Sequence, residues 1–243
     1  DTPAELGIIV IFFFYLVAAW INLYIPKLAI DHRMLKRTIY FVLHDFWHCF
    51  KLLWRDPLGQ VSLAVTTLFW GAGATLKFIV LDWAPEALEF NLQQSSNLMA
   101  VVAVGIAVGS VIAARYVSLE RSVRVLPVGI AMGLVVIAMI FVTDWRIAIV
   151  LMILIGALAG FFVVPMNALL QHRGHLLMGA GHSIAVQNFN ENLSILALAG
   201  MYALMQAAEL SVTVSIILFG MLVSGIMSYL YKKHAHDRDP TLH

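Results

Sequence analysis

Seven long apolar runs constrain this chain more than any other feature: residues 7–28, 58–83, 97–117, 125–142, 147–170, 181–206 and 211–231. A helix that crosses the hydrocarbon core of a bilayer needs about 20 mostly apolar residues, so the pattern predicts an all-α, polytopic membrane protein. The run 125–142 is the shortest and has the least defined edges. Composition points the same way. With 61% hydrophobic and 12% charged residues and a mean hydropathy of +0.89, the chain lacks the charge that a soluble surface requires. Its net charge of +1 argues against a nucleic-acid partner, because phosphate binding rests on clustered Lys and Arg. Cys49 is the single cysteine, so no internal disulfide forms. Asp1, Thr2, Pro3 and Ala4 offer no basic segment of the kind that opens a signal peptide, and the chain reads as a fragment of a longer protein.

Orientation follows from the basic residues in the connections. If the N-terminus is outside, the inner side receives Lys27, Arg33, Lys36, Arg37, Lys51 and Arg55, then Arg115, Arg121 and Arg124, then Arg173, and finally Lys232, Lys233 and Arg238. The outer side receives Arg146 alone, among Asp82, Glu86, Glu89, Asp144 and Glu209. The asymmetry predicts a cytoplasmic C-terminus. Between the first two runs, residues 31–56 are too polar to cross. Leu35, Ile39, Val42, Phe46, Phe50 and Leu53 recur there at helical spacing, which predicts an amphipathic helix on the inner membrane surface. Either a plain linker or a sensor of lipid headgroups fits that pattern.

Within the runs, Gly105 with Gly109, Gly129 with Gly133, and Gly156 with Gly160 have the four-residue spacing that lets helices approach closely in lipid. Gly71, Gly73 and Pro165 disturb the helical ladder and are candidate bending points. Residues 160–192 carry the polar exceptions: Asn167, a basic hairpin expected at 171–174, a re-entry through 179–181, then Gln187, Asn188, Asn190, Glu191 and Asn192 in an apolar helix. An ionisable group at such depth is costly, roughly 2.5–3.5 kcal/mol on insertion scales, and usually faces a cavity or partner. Glu191 is therefore the first functional candidate, and Gln187, Asn190, Glu191 and Ser194 share one helical face. At about 1.5 Å per residue Glu191 lies about 18 Å from the inner end and Lys77 about 9 Å from the outer end of their runs. They form an ion pair, or flank a polar cavity that meets a zwitterionic ligand.

His44 and His48 fall near Asp45 and Cys49, and His172 lies near His175, but no tight Cys/His ligand pattern predicts a zinc site. No metal and no cofactor is expected; His182, opening the sixth run, is the histidine to watch. Neither a phosphate-binding glycine loop nor a nucleophile motif is present. The pattern leaves a secondary transporter, a flippase-like carrier or a membrane scaffold, and not an enzyme.

Four stretches carry a resemblance: GFFVVPMNALLQHRG (160–174); GAG (179–181) with IAVQN (184–188) and EN (191–192); YIPKL (24–28); and FWGAG (69–73) with TLKF (75–78). Together they resemble the lysophospholipid transporters of Gram-negative bacteria, over most of the chain. The chain departs from that pattern with His182 in place of Asn and Lys77 in place of Arg, which keeps the charge and loses the bidentate fork. The resemblance implies a major facilitator fold of two six-helix halves. Residues 1–28 are then the last helix of the N-terminal half, 29–57 a cytoplasmic amphipathic linker, 58–231 the C-terminal six-helix bundle and 232–243 a cytoplasmic tail.

It further implies a carrier in the bacterial inner membrane. Such a carrier moves lysophosphatidylethanolamine and related lysolipids from the outer to the inner leaflet, where a cytoplasmic-side acyltransferase re-acylates them. The implied partners are the lysophospholipid, the N-terminal half of the same protein, that acyltransferase and the membrane lipids. Gln187, Asn188, Glu191 and Lys77 are the expected pocket, Glu191 suited to the ammonium and Lys77 to the phosphate. Gly71, Gly73 and Pro165 are expected to bend, while Arg115, Glu120 and Arg121 occupy the inner loop where facilitators keep a gating motif, here degenerate. Two other functions remain open. One is a proton-coupled exporter of drugs or amphiphiles with Glu191 as proton carrier; the other is a non-transporting scaffold that recruits the acyltransferase through residues 31–56.

Overall fold

The computed structural model describes residues 3–24 and 38–234, which are helical almost throughout and contain no strand. The chain divides into two compact units. The first carries α1, Pro3–Asn22. The second carries α2 (Ile39–Arg55), α3 (Pro57–Leu88), α4 (Leu92–Tyr116), α5 (Leu126–Ile137), α6 (Trp145–Met178), α7 (Ala180–Ala207) and α8 (Val212–Lys233). The end of the first predicted run, the linker up to residue 37, and the tail from 235 lie outside the described residues, with Lys27, Arg33, Lys36, Arg37 and Arg238.

Among the described residues, six of the seven predicted runs form helices long and apolar enough to cross a membrane. The seventh, α7, has the length at 28 residues. Its apolarity is diluted by Gln187, Asn188, Asn190, Glu191 and Asn192, and it packs within the bundle on α3 and α6. In α5 only 12 residues are α-helical, about 18 Å at ~1.5 Å per residue against a core of about 30 Å. The 3₁₀ segments Leu119–Val125 and Ala138–Phe141 flank it, and their steeper rise, about 2.0 Å per residue, completes the crossing.

One expectation is overturned. No hairpin forms at 171–174: α6 continues through that stretch to Met178 and reverses only at Gly179, whose φ of 83° suits glycine. Nothing in 171–178 breaks a helix. Gly174 itself lies so close to α7 that an added Cβ would sit 1.7 Å from Ser183 Oγ.

The predicted small-residue pairs find partners in two seams. Gly105 and Gly109 on α4 oppose Gly156 and Gly160 on α6, so that each added Cβ would strike a backbone carbonyl of the other helix. Gly129 and Gly133 on α5 face Met227, Ser224 and Gly220 on α8. The main core runs between these seams and α3, with Phe162, Met152, Ile155, Met166, Ile79 and Ile216 fully buried. A second apolar cluster seats α2 on the bundle. Cys49 and Leu53 meet Leu63, Leu170, Met178 and Val186, with Phe46 and Phe50 packed beside them. The later part of the predicted stripe, Phe46, Phe50 and Leu53, therefore faces the bundle, while Ile39 and Val42 stay exposed.

Candidate functional site

The polar face of α7 is organised by Gln187. Its amide donates to Asn167 Oδ1 on α6 at 2.9 Å and to Glu191 Oε1 one turn along at 2.7 Å. Two N–H groups on one nitrogen satisfy both acceptors, and the Glu191 carboxylate, which only accepts when ionised, turns the NH₂ end of the amide toward itself. Glu191 is 8% exposed. The indole of Trp70, on α3, also reaches its carboxylate. Trp70 is held there by its neighbour: Gly71 runs so close to α7 that a Cβ would lie 2.2 Å from Ser194 Oγ and 2.9 Å from the Ser194 carbonyl. Gly71 thus serves close approach of α3 and α7, whereas Gly73 is exposed and an added Cβ there meets nothing within 4 Å. Asn190, though buried on the same face, donates to the Val186 carbonyl of its own helix at 2.8 Å. Asn188 is exposed and accepts at its carbonyl from Asn192.

Lys77 is exposed, and among the described residues no ion pair joins it to Glu191. Trp70, Gly73 and Lys77 nevertheless follow one another at i, i+3 and i+7 on α3 and so share one exposed face. The cluster therefore offers a recessed anionic acceptor beside an aromatic side chain, with a cation about 10 Å further along the same helix at ~1.5 Å per residue. Pro165 is buried inside the continuous α6, two residues before Asn167. Its missing N–H leaves the carbonyl of residue 161 without its usual helical donor. Arg115 closes α4, Glu120 and Arg121 lie on the following 3₁₀ segment, and all three are exposed.

Sequence reasoning singled out Glu191 and Gln187 but not Asn167 or Trp70 as their partners. Asn167 carried a usable signal, a polar amide in the middle of an apolar run. Trp70 carried none, since aromatic residues are common in such runs.

Two polar ties sit at the end of the bundle where α2 docks. His182 Nε2 and Asp45 Oδ2 are 2.8 Å apart, and Arg173 donates through Nε to Asp56 Oδ2 at 3.0 Å and through Nη2 to Asp56 Oδ1. Asp56 also caps α3, accepting from the Gly59 N–H at 2.7 Å. Phe46 and Phe50 meet Phe189 of α7 edge-on at 5.3 and 6.2 Å. At the opposite end Tyr202 donates to Asp82 Oδ2 at 2.5 Å and accepts from Gln206 Nε2 at 2.6 Å. The ligating atoms of Asp45, Cys49 and His182 lie within 4.8 Å of one another. The sequence pattern had placed Asp45 and Cys49 beside His44 and His48 instead. Three donors fall one short of a closed tetrahedral set.

Burial, with the Asp45 charge second, pushes the Cys49 thiol above its ordinary value. The thiolate is the reactive species, so raising the pKa lowers reactivity at neutral pH. Maleimide labelling of Cys49 at about pH 8 should run at least about tenfold slower than that of an exposed thiol and accelerate as pH rises. His182→Ala, which removes one tie on α2, should speed it. Labelling at the rate of an exposed thiol in the unaltered protein would show that α2 does not dock; peptide mass spectrometry reads the rate.

Long apolar helices around a recessed acid–amide cluster define a polytopic α-helical membrane protein. Over 191 residues the chain is 44% identical to a protein named lysophospholipid transporter LplT from Serratia proteamaculans (strain 568), covering 78% of this chain and 48% of that one. Proteins of the same name from Yersinia pestis (strain Pestoides F) and Yersinia pseudotuberculosis serotype O:3 (strain YPIII) are 43% identical over 191 residues, 78% of this chain and 47% of each relative. No family model matches, and no solved structure matches. Over most of its length the chain is similar to these lysophospholipid transporters, and it spans about half the length of the relatives it matches.

Proposed function

We propose that the full-length protein moves lysophospholipids, chiefly lysophosphatidylethanolamine, from the outer to the inner leaflet of the bacterial inner membrane, delivering them to an acyltransferase on the cytoplasmic side. The observation that carries this reading is the Glu191–Gln187–Asn167 cluster recessed in a chain 44% identical to a protein of that name. A recessed carboxylate is matched by the one charged group that distinguishes an ethanolamine head, its ammonium. Lys77, on the face of α3 that also carries Trp70, is placed to meet the phosphate. Asn188, exposed one residue beyond Gln187, lines the approach.

On this reading the chain supplies the C-terminal half of a major facilitator fold, and the N-terminal half covers the polar face. Arg115, Glu120 and Arg121 gate the cytoplasmic end, while Gly73 and Pro165 are the points at which α3 and α6 bend. The excess of Arg and Lys at that end supports a cytoplasmic C-terminus.

The test is uptake of labelled lysophosphatidylethanolamine by cells lacking their own transporter and expressing the full-length protein. Uptake should be restored by the unaltered protein and fall at least about tenfold with Glu191→Gln, the loss of one charge-assisted contact worth ~1.5–3 kcal/mol, at equal membrane abundance. No uptake by the unaltered protein would sink the lysolipid reading. A second reading, proton-coupled export of amphiphiles, draws on the burial of Glu191, which suits a proton carrier. Efflux of an amphiphilic dye that collapses with the proton gradient and with Glu191→Gln would favour it.

A further inference from the structure

Besides the polar cluster, the second unit contains an apolar cavity of about 220 Å³ enclosed by α3, α4, α5, α6 and α8. Every lining residue is apolar, among them Phe69, Met99, Met132 and Phe219. Such a cavity stays dry, because water needs two or more polar partners to enter, and smaller apolar cavities than this accept a hydrocarbon guest. Its lining includes Gly73 on α3 and Ala103 on α4, both exposed, so the cavity reaches the surface between these two helices. Gly73 lies on the same α3 face as Trp70 and Lys77, and the Phe69 and Trp70 rings touch edge-on at 5.6 Å. One turn of α3 thus has the carboxylate of Glu191 on one side and an oily cavity on the other.

We infer that this cavity seats the single acyl chain of the lysolipid, entering past Gly73 and Ala103 while the head lies between Glu191 and Lys77. The inference rests on the lysophospholipid reading and extends it to the part of the ligand that has no polar group. A lone chain finds there a dry hydrocarbon surface, whereas a diacyl lipid would leave its second chain outside.

The experiment uses the full-length protein in lipid nanodiscs and a lysophosphatidylethanolamine carrying a photoreactive diazirine at the end of its acyl chain. Peptide mass spectrometry should map adducts to Met99, Met132 or Phe219, and excess unlabelled lysophosphatidylethanolamine should abolish them. Ala103→Phe, which fills the mouth from an exposed position, should reduce these adducts at least tenfold while leaving uptake of a short-chain lysolipid unchanged. Gly73→Leu, where an added Cβ meets nothing within 4 Å, should reduce the adducts likewise, which guards against a folding defect in the first variant. Competed adducts that map to the outward-facing Val104, Val108 and Val111 of α4 would overturn the cavity and leave lysolipid transport standing. Equal competition by a diacyl phosphatidylethanolamine would overturn it too, marking a seat for bilayer lipid. An absence of competed adducts together with an absence of uptake would remove the lysolipid reading and the inference with it.

Discussion

Gly109→Ile should prevent the second unit from folding. In the seam of α4 with α6, a Cβ at Gly109 would sit 1.9 Å from the Ala157 carbonyl oxygen, and one at Gly105 would sit 2.3 Å from that of Ile153. From the other side, Gly156 and Gly160 each leave 2.2 Å to the carbonyls of Val102 and Ile106. Backbone atoms cannot rotate away as a side chain does. The two helices must separate along a whole turn, which opens the other three contacts as well. In lipid that loss matters, because packing and not the hydrophobic effect holds transmembrane helices together. Ordinary overpacking costs ~1–3 kcal/mol; a backbone clash of this kind should exceed that range. The expected result is loss of monodisperse full-length protein on size-exclusion chromatography after detergent extraction. Gly200→Ile, where an added Cβ meets nothing within 4 Å, is the control and should behave normally. Recovery of both variants at the same level would show that α4 and α6 do not meet through these glycines.

The next largest effect is expected at Arg173. Its guanidinium grips both oxygens of Asp56, whose side chain is 11% exposed and simultaneously caps α3. Arg173→Ala leaves that carboxylate with its cap bond alone. Hydrogen bonds to charged groups contribute ~1.5–3 kcal/mol, and partial exposure of the pair keeps the estimate toward the lower end. Arg173→Lys should recover only part, since an ammonium cannot reproduce the two-pronged geometry. Asp56→Asn retains a capping oxygen and loses the charge. Thermal unfolding of the two single variants and the double variant, compared as a cycle, should give a coupling above about 1 kcal/mol. Additive losses would mean that the pair contributes nothing of its own.

Much of the architecture was readable from residue order alone. Twenty-odd apolar residues in a row oblige the backbone to bond to itself, so the existence of the helices followed from local composition. Their ends were less readable. The α6 helix overruns its apolar run by eight residues because Gln171, His172, Arg173 and His175 are tolerated in a helix and nothing before Gly179 stops it. The site was half readable. Glu191 announced itself by its cost in apolar surroundings, and Gln187 by lying one turn away. Asn167 and Trp70 come from other helices, and no periodicity within α7 names them.

Glycine spacing likewise marked which faces would pack but not against what. Gly105 and Gly109 were bound to meet a partner; that it is α6, and not α5 or α8, depends on how the bundle is assembled. The same division holds where α2 docks. Its amphipathic pattern was evident, yet His182 with Asp45 and Arg173 with Asp56 join residues 137 and 117 positions apart. Hydrogen bonding within a helix and the cost of polar groups in lipid act over a few residues, and the sequence records them directly. Which helices are neighbours, how each is rotated, and therefore where the cavity and the acid–amide cluster open, depend on side chains brought together across the bundle, and those are settled only when the helices pack.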